Sequence, residues 1–225
     1  MASRAPPRRC IGPGQFNYGG GLEVTGWYLP DGGYTFLGNA STIGAGGVPL
    51  YQYGGGIDFW AAGNGGTSAV TASPDGGNFI LSDGAYERQP LNQDTTGPVV
   101  GHTYKVTCYY GAAQQIGFTG DTTDKWTVSL GGKDPQDSTV ISRPGHNFTA
   151  WSSASAKFVA TATNETLSFQ AVGAPNGVPL FALLDGVTLS PDGVPESAPW
   201  ALMLIGLGGL GATARRRNAG VSVAV

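Results

Sequence analysis

Residues 125–130, "KWTVSL", alternate strictly: Trp126, Val128 and Leu130 are apolar, and Lys125, Thr127 and Ser129 are polar. Side chains in a strand point to opposite faces with a period of two, so this is a strand with one buried side. The same rhythm recurs. In 166–172, "TLSFQAV", Leu167, Phe169 and Ala171 share a face, and in 104–110, "YKVTCYY", Tyr104, Val106, Cys108 and Tyr110 do. In 183–189, "LLDGVTL", alternation puts Leu183, Asp185, Val187 and Leu189 together, opposite Leu184, Gly186 and Thr188. Further strands are expected over 22–28, 34–37, 57–61, 78–81, 86–91, 138–142 and 148–162, separated by Gly, Pro, Asn and Asp clusters. Many short half-buried strands with frequent turns point to an all-β sandwich or jelly roll, two sheets packed face to face.

Composition agrees. Glycine supplies 38 of 225 residues, and each glycine inside a helix costs about 1 kcal/mol relative to alanine. The segment 38–73, rich in Gly, Ala, Tyr and Asn, is expected to be a loop-rich edge or rim. The net charge of −3 conceals an asymmetry: Arg4, Arg8 and Arg9 lie at one end and Arg215, Arg216 and Arg217 at the other. Between them six basic residues face fifteen acidic ones, a net −9. An acidic body repels phosphate backbones, which argues against a nucleic-acid partner. The two cysteines, Cys10 and Cys108, suggest no disulfide framework.

The ends differ from the body. Residues 1–15 form an expected disordered arm, with the charged start of a signal peptide but no apolar stretch after it. The β-sandwich domain spans 16–189, and a Pro-rich linker spans 190–199. Then come Trp200, an apolar run ending at Ala214, and the three arginines. An apolar helix over 200–214 is expected, shorter than the 17–25 residues of a comfortable membrane span. Tryptophan at the interface and arginines beyond the run orient it with the domain outside.

This ordered set over 194–217 closely resembles the PEP-CTERM sorting signal of Gram-negative bacteria. The matching residues are Val194, Pro195 and Glu196, then Trp200, the apolar run, and Arg215, Arg216 and Arg217. Ser197 stands where the family usually has proline. The resemblance implies recognition by an exosortase, a membrane-embedded transpeptidase. It also implies transient inner-membrane residence, cleavage near Pro195–Glu196, and delivery to the cell surface or exopolysaccharide matrix. Such a route requires a leader, which is expected upstream of Met1. The same segment resembles what is named the C-terminal domain of ice-binding proteins, a name that describes the tail alone.

The body resembles galactose-binding-like jelly rolls. The resemblance rests on "LEVTGWYLP" (22–30, with Glu23, Gly26 and Trp27), "SPDGGNFILSDG" (73–84), "YYGAAQQIGFTGDTTDKWTVSLGG" (109–132) and "LLDGVTL". It implies a structural Ca²⁺ held by Glu23 and Asp185, with hydrogen-bonded carboxylates and no metal as the alternative. Otherwise no cofactor is expected.

For ligand binding, "PLYQYGGGIDFWAAGN" (49–64) offers aromatic rings beside polar groups, the combination that stacks and orients a pyranose. Tyr51, Tyr53 and Trp60 are the candidates, with Asp58 and Asn64 beside them. Of Phe59 and Trp60, one points inward. Gln114 and Gln115 are candidates to read hydroxyls or to pair with backbone. His102 and His146 lack metal spacing, and no nucleophile motif is present. The expected function is that of an exported, non-enzymatic surface or matrix protein. A carbohydrate-binding module that contacts extracellular polysaccharide is the alternative, and a glycan-acting hydrolase the third reading.

Overall fold

The computed structural model describes residues 13–16 and 24–193. In chain order its strands are β1 (Gly14–Gln15), β2 (Trp27–Tyr28), β3 (Thr35–Asn39), β4 (Val48–Pro49), β5 (Gly56–Ile57), β6 (Asn78–Asp83) and β7 (Leu91–Thr96). They continue as β8 (Thr103–Gln114), β9 (Thr122–Leu130), β10 (Lys133–Asp137), β11 (Ile141–Arg143), β12 (Ser152–Val159), β13 (Asn164–Ala174) and β14 (Leu180–Pro191). One 3-10 turn, Ala62–Asn64, is the sole helical piece among the described residues. The chain divides after Ser190 into two compact units, and the sandwich belongs to the first.

Two sheets face each other. One has the order β1-β3-β6-β14-β8-β12, the other β10-β9-β13-β7-β2 with β11 also on β9, and β4 pairs with β5 apart from both. The body is therefore an all-β sandwich. The alternating strands carry the interface between sheets. Register sets Leu130 opposite Leu167, Val128 opposite Phe169 and Trp126 opposite Ala171. These inward pairs join Val106, Phe158, Leu91 and Leu184 in one buried cluster, and each fully buried large side chain contributes roughly 1.5–3 kcal/mol. Trp126 also ties the sheets together, its Nε1 donating to the Leu183 carbonyl at 2.8 Å.

Three strands do not alternate. Residues 79–81 "FIL" and 180–184 "LFALL" are continuously apolar, and 34–37 "YTFL" is interrupted only by Thr35, whose hydroxyl pairs with that of Ser82 at 2.8 Å, because β3, β6 and β14 are buried on both faces. Leu37, Ile80 and Leu184 face the sandwich interior. Phe36, Phe79, Leu81, Phe181 and Leu183 face outward into a second cluster, where Ile43, Val48, Leu50, Ile57 and Phe59 cover them. The covering residues come from the segment expected to be a rim. It is a second apolar layer, built on the small β4–β5 hairpin.

Several sequence expectations are corrected. Gly14–Gln15, placed in a disordered arm, pairs with β3 through Gly14–Leu37 and Gln15–Phe36. Residues 86–91 are mainly a turn, and the strand begins at Leu91. The expected common face of Leu183 and Val187 is broken, because β14 changes phase at Asp185–Gly186. Leu183 lies in the outer cluster, while Leu184, Val187 and Leu189 all lie on the inner one. Gly186 takes φ +57°, and a Cβ there would meet the Tyr109 ring at 2.7 Å, the mark of a bulge that re-aims the strand.

Among the described residues no helix is long and apolar enough to cross a membrane. The expected helix 200–214, the sorting residues Val194, Pro195, Glu196, Trp200, Arg215, Arg216 and Arg217, and Glu23 and Cys10 lie outside the described residues.

Candidate glycan-binding surface

The β4–β5 hairpin presents Tyr51 and Tyr53, which are 48% and 62% exposed, and the β6–β7 turn presents Tyr86 at 47%. Exposed aromatics scattered singly are ordinary; a contiguous group of them marks a contact surface. Here two loops bring them together. The Tyr53 and Tyr86 hydroxyls are 2.8 Å apart. Gln52 sits between the loops, its Nε2 donating to Glu87 Oε1 and Oε2 at 3.0 and 2.9 Å and to the Tyr53 hydroxyl at 3.1 Å.

Both loops are anchored from below. Gln15 on β1 is fully buried, and its Oε1 accepts the backbone N–H of Tyr51 and Gln52 at 2.9 and 2.8 Å. Asp58 fixes the neighbouring loop, with Oδ1 accepting from Gly44 and Phe59 and Oδ2 from Gly46. Asp83, at the end of β6, is buried and caps the next turn. Its Oδ1 accepts the N–H of Ala85 and Tyr86 at 2.7 and 2.9 Å, the local bonding that makes Asp a turn former. The Tyr86 ring stands edge-on to buried Tyr34, centroids 5.3 Å apart. Glu87 follows with φ +41°, left-handed backbone that costs a non-glycine residue about 1–3 kcal/mol and clusters at functional sites.

Beside this platform lies a cleft of about 360 Å³ lined by Asp83, Ala85, Tyr86, Phe118 and the Asn176–Pro179 loop. Its walls are braced. Gly84 donates to the Leu180 carbonyl at 3.1 Å and accepts from Gly173 at 2.9 Å, joining both sheets beneath the cleft. Trp60 Nε1 donates to the Phe118 carbonyl at 2.9 Å.

Burial pushes the Asp83 carboxyl up to about 6. Burial also raises Asp124 nearby, against the pull of Arg143. Arg143 Nε lies 3.5 Å from Asp124 Oδ2, while Nη1 and Nη2 donate to the Asn147 and Ala113 carbonyls. The side-chain hydrogen bond with Tyr53, followed by that with Glu87, holds the Tyr86 phenol above its ordinary range.

The candidates from sequence separate into two groups. Tyr51 and Tyr53 lie on the exposed hairpin. Trp60 is a bracket behind Phe118, its half-buried ring stacked on His146 with centroids 4.2 Å apart and a tilt of 34°. Phe59 is the inward member of that pair, fully buried. Asn64 closes a local turn through Ala61 N–H and the Phe59 carbonyl. Gln114 is buried, binding the His146 N–H and the Gly120 carbonyl. Tyr86, Glu87, Asp83 and Phe118 were not anticipated. The turn signal "SDG" at 82–84, two residues before Tyr86, is the cue available.

Asp185 is raised by burial, accepts a hydrogen bond from Ser73 and lies near Asp75; its Oδ2 has no hydrogen-bond partner. Glu23, the other residue expected to hold calcium, lies outside the described residues. Among the described residues no three His, Cys, Asp or Glu side chains are grouped to hold a metal.

No family model and no curated protein matches the chain. Solved structures resemble it at low similarity. The CBM22-1 xylan-binding domain of Paenibacillus barcinonensis Xyn10C is 12% identical, covers 84% of this chain and 97% of that one, with a TM-score of 0.38. TmCBM61, solved with β-1,4-galactotriose, is 13% identical over 53% of this chain and 74% of that one, TM-score 0.35. The C-terminal domain of EclA, a sugar-binding protein, is 21% identical over 44% of this chain and 65% of that one, TM-score 0.34. The chain thus spans just under two-thirds of that domain's length. All three identities lie below 25% and all three TM-scores below 0.5, so the likeness assigns no ligand to this chain.

Proposed function

We propose that the sandwich, read as a galactose-binding-like jelly roll, is a non-catalytic carbohydrate-binding module of an exported protein. One observation carries this reading: Tyr51, Tyr53 and Tyr86 are exposed on two adjoining loops whose geometry is fixed by Gln15, Gln52, Asp83 and Glu87. Pre-ordered rings stack on a pyranose without losing rotamer freedom on binding, and the amide and carboxylate between them face hydroxyls. Glu87 is held by Gln52 through both oxygens, which suits a binding group better than a proton-transfer group. The PEP-CTERM resemblance of Val194, Pro195 and Glu196 supports delivery through the inner membrane to the cell surface or its polysaccharide matrix, with an exosortase as partner.

Retention of the full chain on immobilised polysaccharides, with reducing sugar assayed in parallel, tests the module. Retention without sugar release is expected; release of sugar from the retained polymer would instead mark a hydrolase. For sorting, the Pro195→Ala, Glu196→Ala variant is expected to accumulate unprocessed in the inner membrane, and its normal surface release would refute exosortase handling.

A further inference from the structure

Gln52 and Glu87 belong to the tyrosine platform and also line a recess of about 250 Å³, together with Asp31, Arg88 and Gln89. Three loops meet there: the β2–β3 turn, the β4–β5 hairpin and the β6–β7 turn. Their positions are fixed. The Tyr34 N–H donates to the Glu87 carbonyl at 3.2 Å. A Cβ on Gly33 would stand 3.1 Å from Gln89 Cβ and 3.2 Å from the Glu87 carbonyl oxygen, so the first and third loops lie in close contact. Gln52 Oε1 accepts from Gln15 Nε2 at 3.2 Å, which turns its amino group to the Glu87 carboxylate.

The groups in this recess have bonding capacity to spare. Asp31, Glu87 and Arg88 are exposed and Gln89 is half-buried. Among the described residues no ion pair or side-chain hydrogen bond engages Asp31, Arg88 or Gln89. A ligand can therefore use them without breaking a bond inside the protein. Carboxylates only accept, a guanidinium only donates, and an amide does both, while each sugar hydroxyl donates once and accepts up to twice. Acceptors and donors crowded into one small recess suit two adjacent hydroxyls, each donating to a carboxylate and accepting from an N–H. Charge narrows the ligand further. Two carboxylates outweigh the one guanidinium, so a sugar that brings its own carboxylate meets net repulsion.

We propose that this recess reads a vicinal pair of hydroxyls on the edge of a neutral pyranose whose face lies on the Tyr53 and Tyr86 rings. The hydroxyls donate to Asp31 and Glu87 and accept from Arg88 and Gln89. Gln52 joins the two parts, since its Nε2 meets both the Tyr53 hydroxyl and Glu87. This rests on the glycan-binding reading above and adds to it the hydroxyl pattern and the charge of the ligand.

The test is titration of the full chain with β-1,4-galactan, mixed-linkage β-glucan and β-1,4-galactomannan. Each is set beside its O-methylated derivative, which keeps the rings but loses the hydroxyl donors, and beside its derivative oxidised to a C6 carboxylate. At least one native polymer is expected to bind tenfold or more tightly than its methylated form, and more tightly than its carboxylated form. Asp31→Ala and Arg88→Ala should each weaken binding of the native polymer by about tenfold, the usual worth of a hydrogen bond to a charged group. Neither side chain has a partner to lose, so both variants should melt with the wild type.

Equal affinity of the wild type for native and methylated members overturns the hydroxyl reading, and tighter binding of the carboxylated member overturns the neutral specificity. Neither comparison needs a variant to fold. Loss of binding in Tyr53→Ala with none in Asp31→Ala or Arg88→Ala leaves the platform standing and removes the recess. Absence of binding to every polymer removes both.

Discussion

The Tyr53 hydroxyl on the β4–β5 hairpin meets the Tyr86 hydroxyl on the β6–β7 turn at 2.8 Å, joining two loops that are 33 residues apart in the chain. The contact holds two exposed rings in one fixed arrangement. Replacing either hydroxyl alone, as in Tyr86→Phe, should leave the rings in place but loosen their relation. We expect a loss in glycan affinity of only a few-fold, measured by titration. Tyr86→Ala removes a contact ring and should cost at least about tenfold, as anchor residues do.

Gln15 acts through the hairpin and touches no ligand. Its side chain accepts two backbone N–H groups, of Tyr51 and Gln52. Gln15→Ala strands both in a partly buried setting, at about 1–3 kcal/mol each where water cannot reach them. The expected result is a lower melting temperature together with weaker binding. Gln15→Glu, which retains the acceptor, should preserve more of the binding than Gln15→Ala.

Gly47 fixes the other side of that layer. It has φ +77°, and a Cβ would stand 1.9 Å from the Ile57 carbonyl oxygen, across the β4–β5 pair. Gly47→Ala should therefore destabilise by more than the ~1 kcal/mol of an unfavourable φ alone. Gly54, at φ +75° with nothing within 4 Å of its would-be Cβ, is the control. Denaturant midpoints of the two variants should differ clearly.

The pH dependence has a definite sign. Burial raises Asp83 from 3.8 to about 6. Asp124, which also faces it, is raised by burial too; Tyr34 is the other titratable neighbour, and Arg143 lies beyond Asp124. Between about pH 4 and 6 the folded state binds protons at Asp83 that the unfolded state has released. That contribution to stability is complete below pH 4 and is lost as pH rises through 6. Its slope is at most about 1.4 kcal/mol per pH unit. The melting temperature should rise between pH 8 and pH 5, and Asp83→Asn should flatten that rise.

Much of the sandwich was legible because β8, β9 and β13 alternate and face a single core. The apolar runs in β6 and β14, and the buried Thr35–Gly38 of β3, are the sign of a second covering layer, but a run such as "LFALL" does not say what lies on its outer side. That cover comes from a glycine-rich segment whose buried residues, Ile43, Val48, Leu50 and Ile57, are spaced by turns and so leave no period to detect. Tyr51 and Tyr53 were visible as aromatics beside polar residues. The sequence around Tyr86 predicts a strand over 86–91, because local pattern does not reveal that Asp83 caps a turn there. Trp60 carried the composition of a sugar platform, yet its indole is used up by Phe118 and His146. Partners of this kind are set by tertiary contact, beyond the reach of spacing alone.

The central claim is that the tyrosine surface binds a glycan. The most direct measurement is glycan-array binding of the full chain beside the Tyr53→Ala, Tyr86→Ala double variant, with melting temperatures recorded for both. The account predicts a signal on at least one non-acidic polysaccharide that falls a hundredfold or more in the variant, with little change in melting temperature. A wild-type chain that binds no glycan, or a folded variant that binds undiminished, would contradict it.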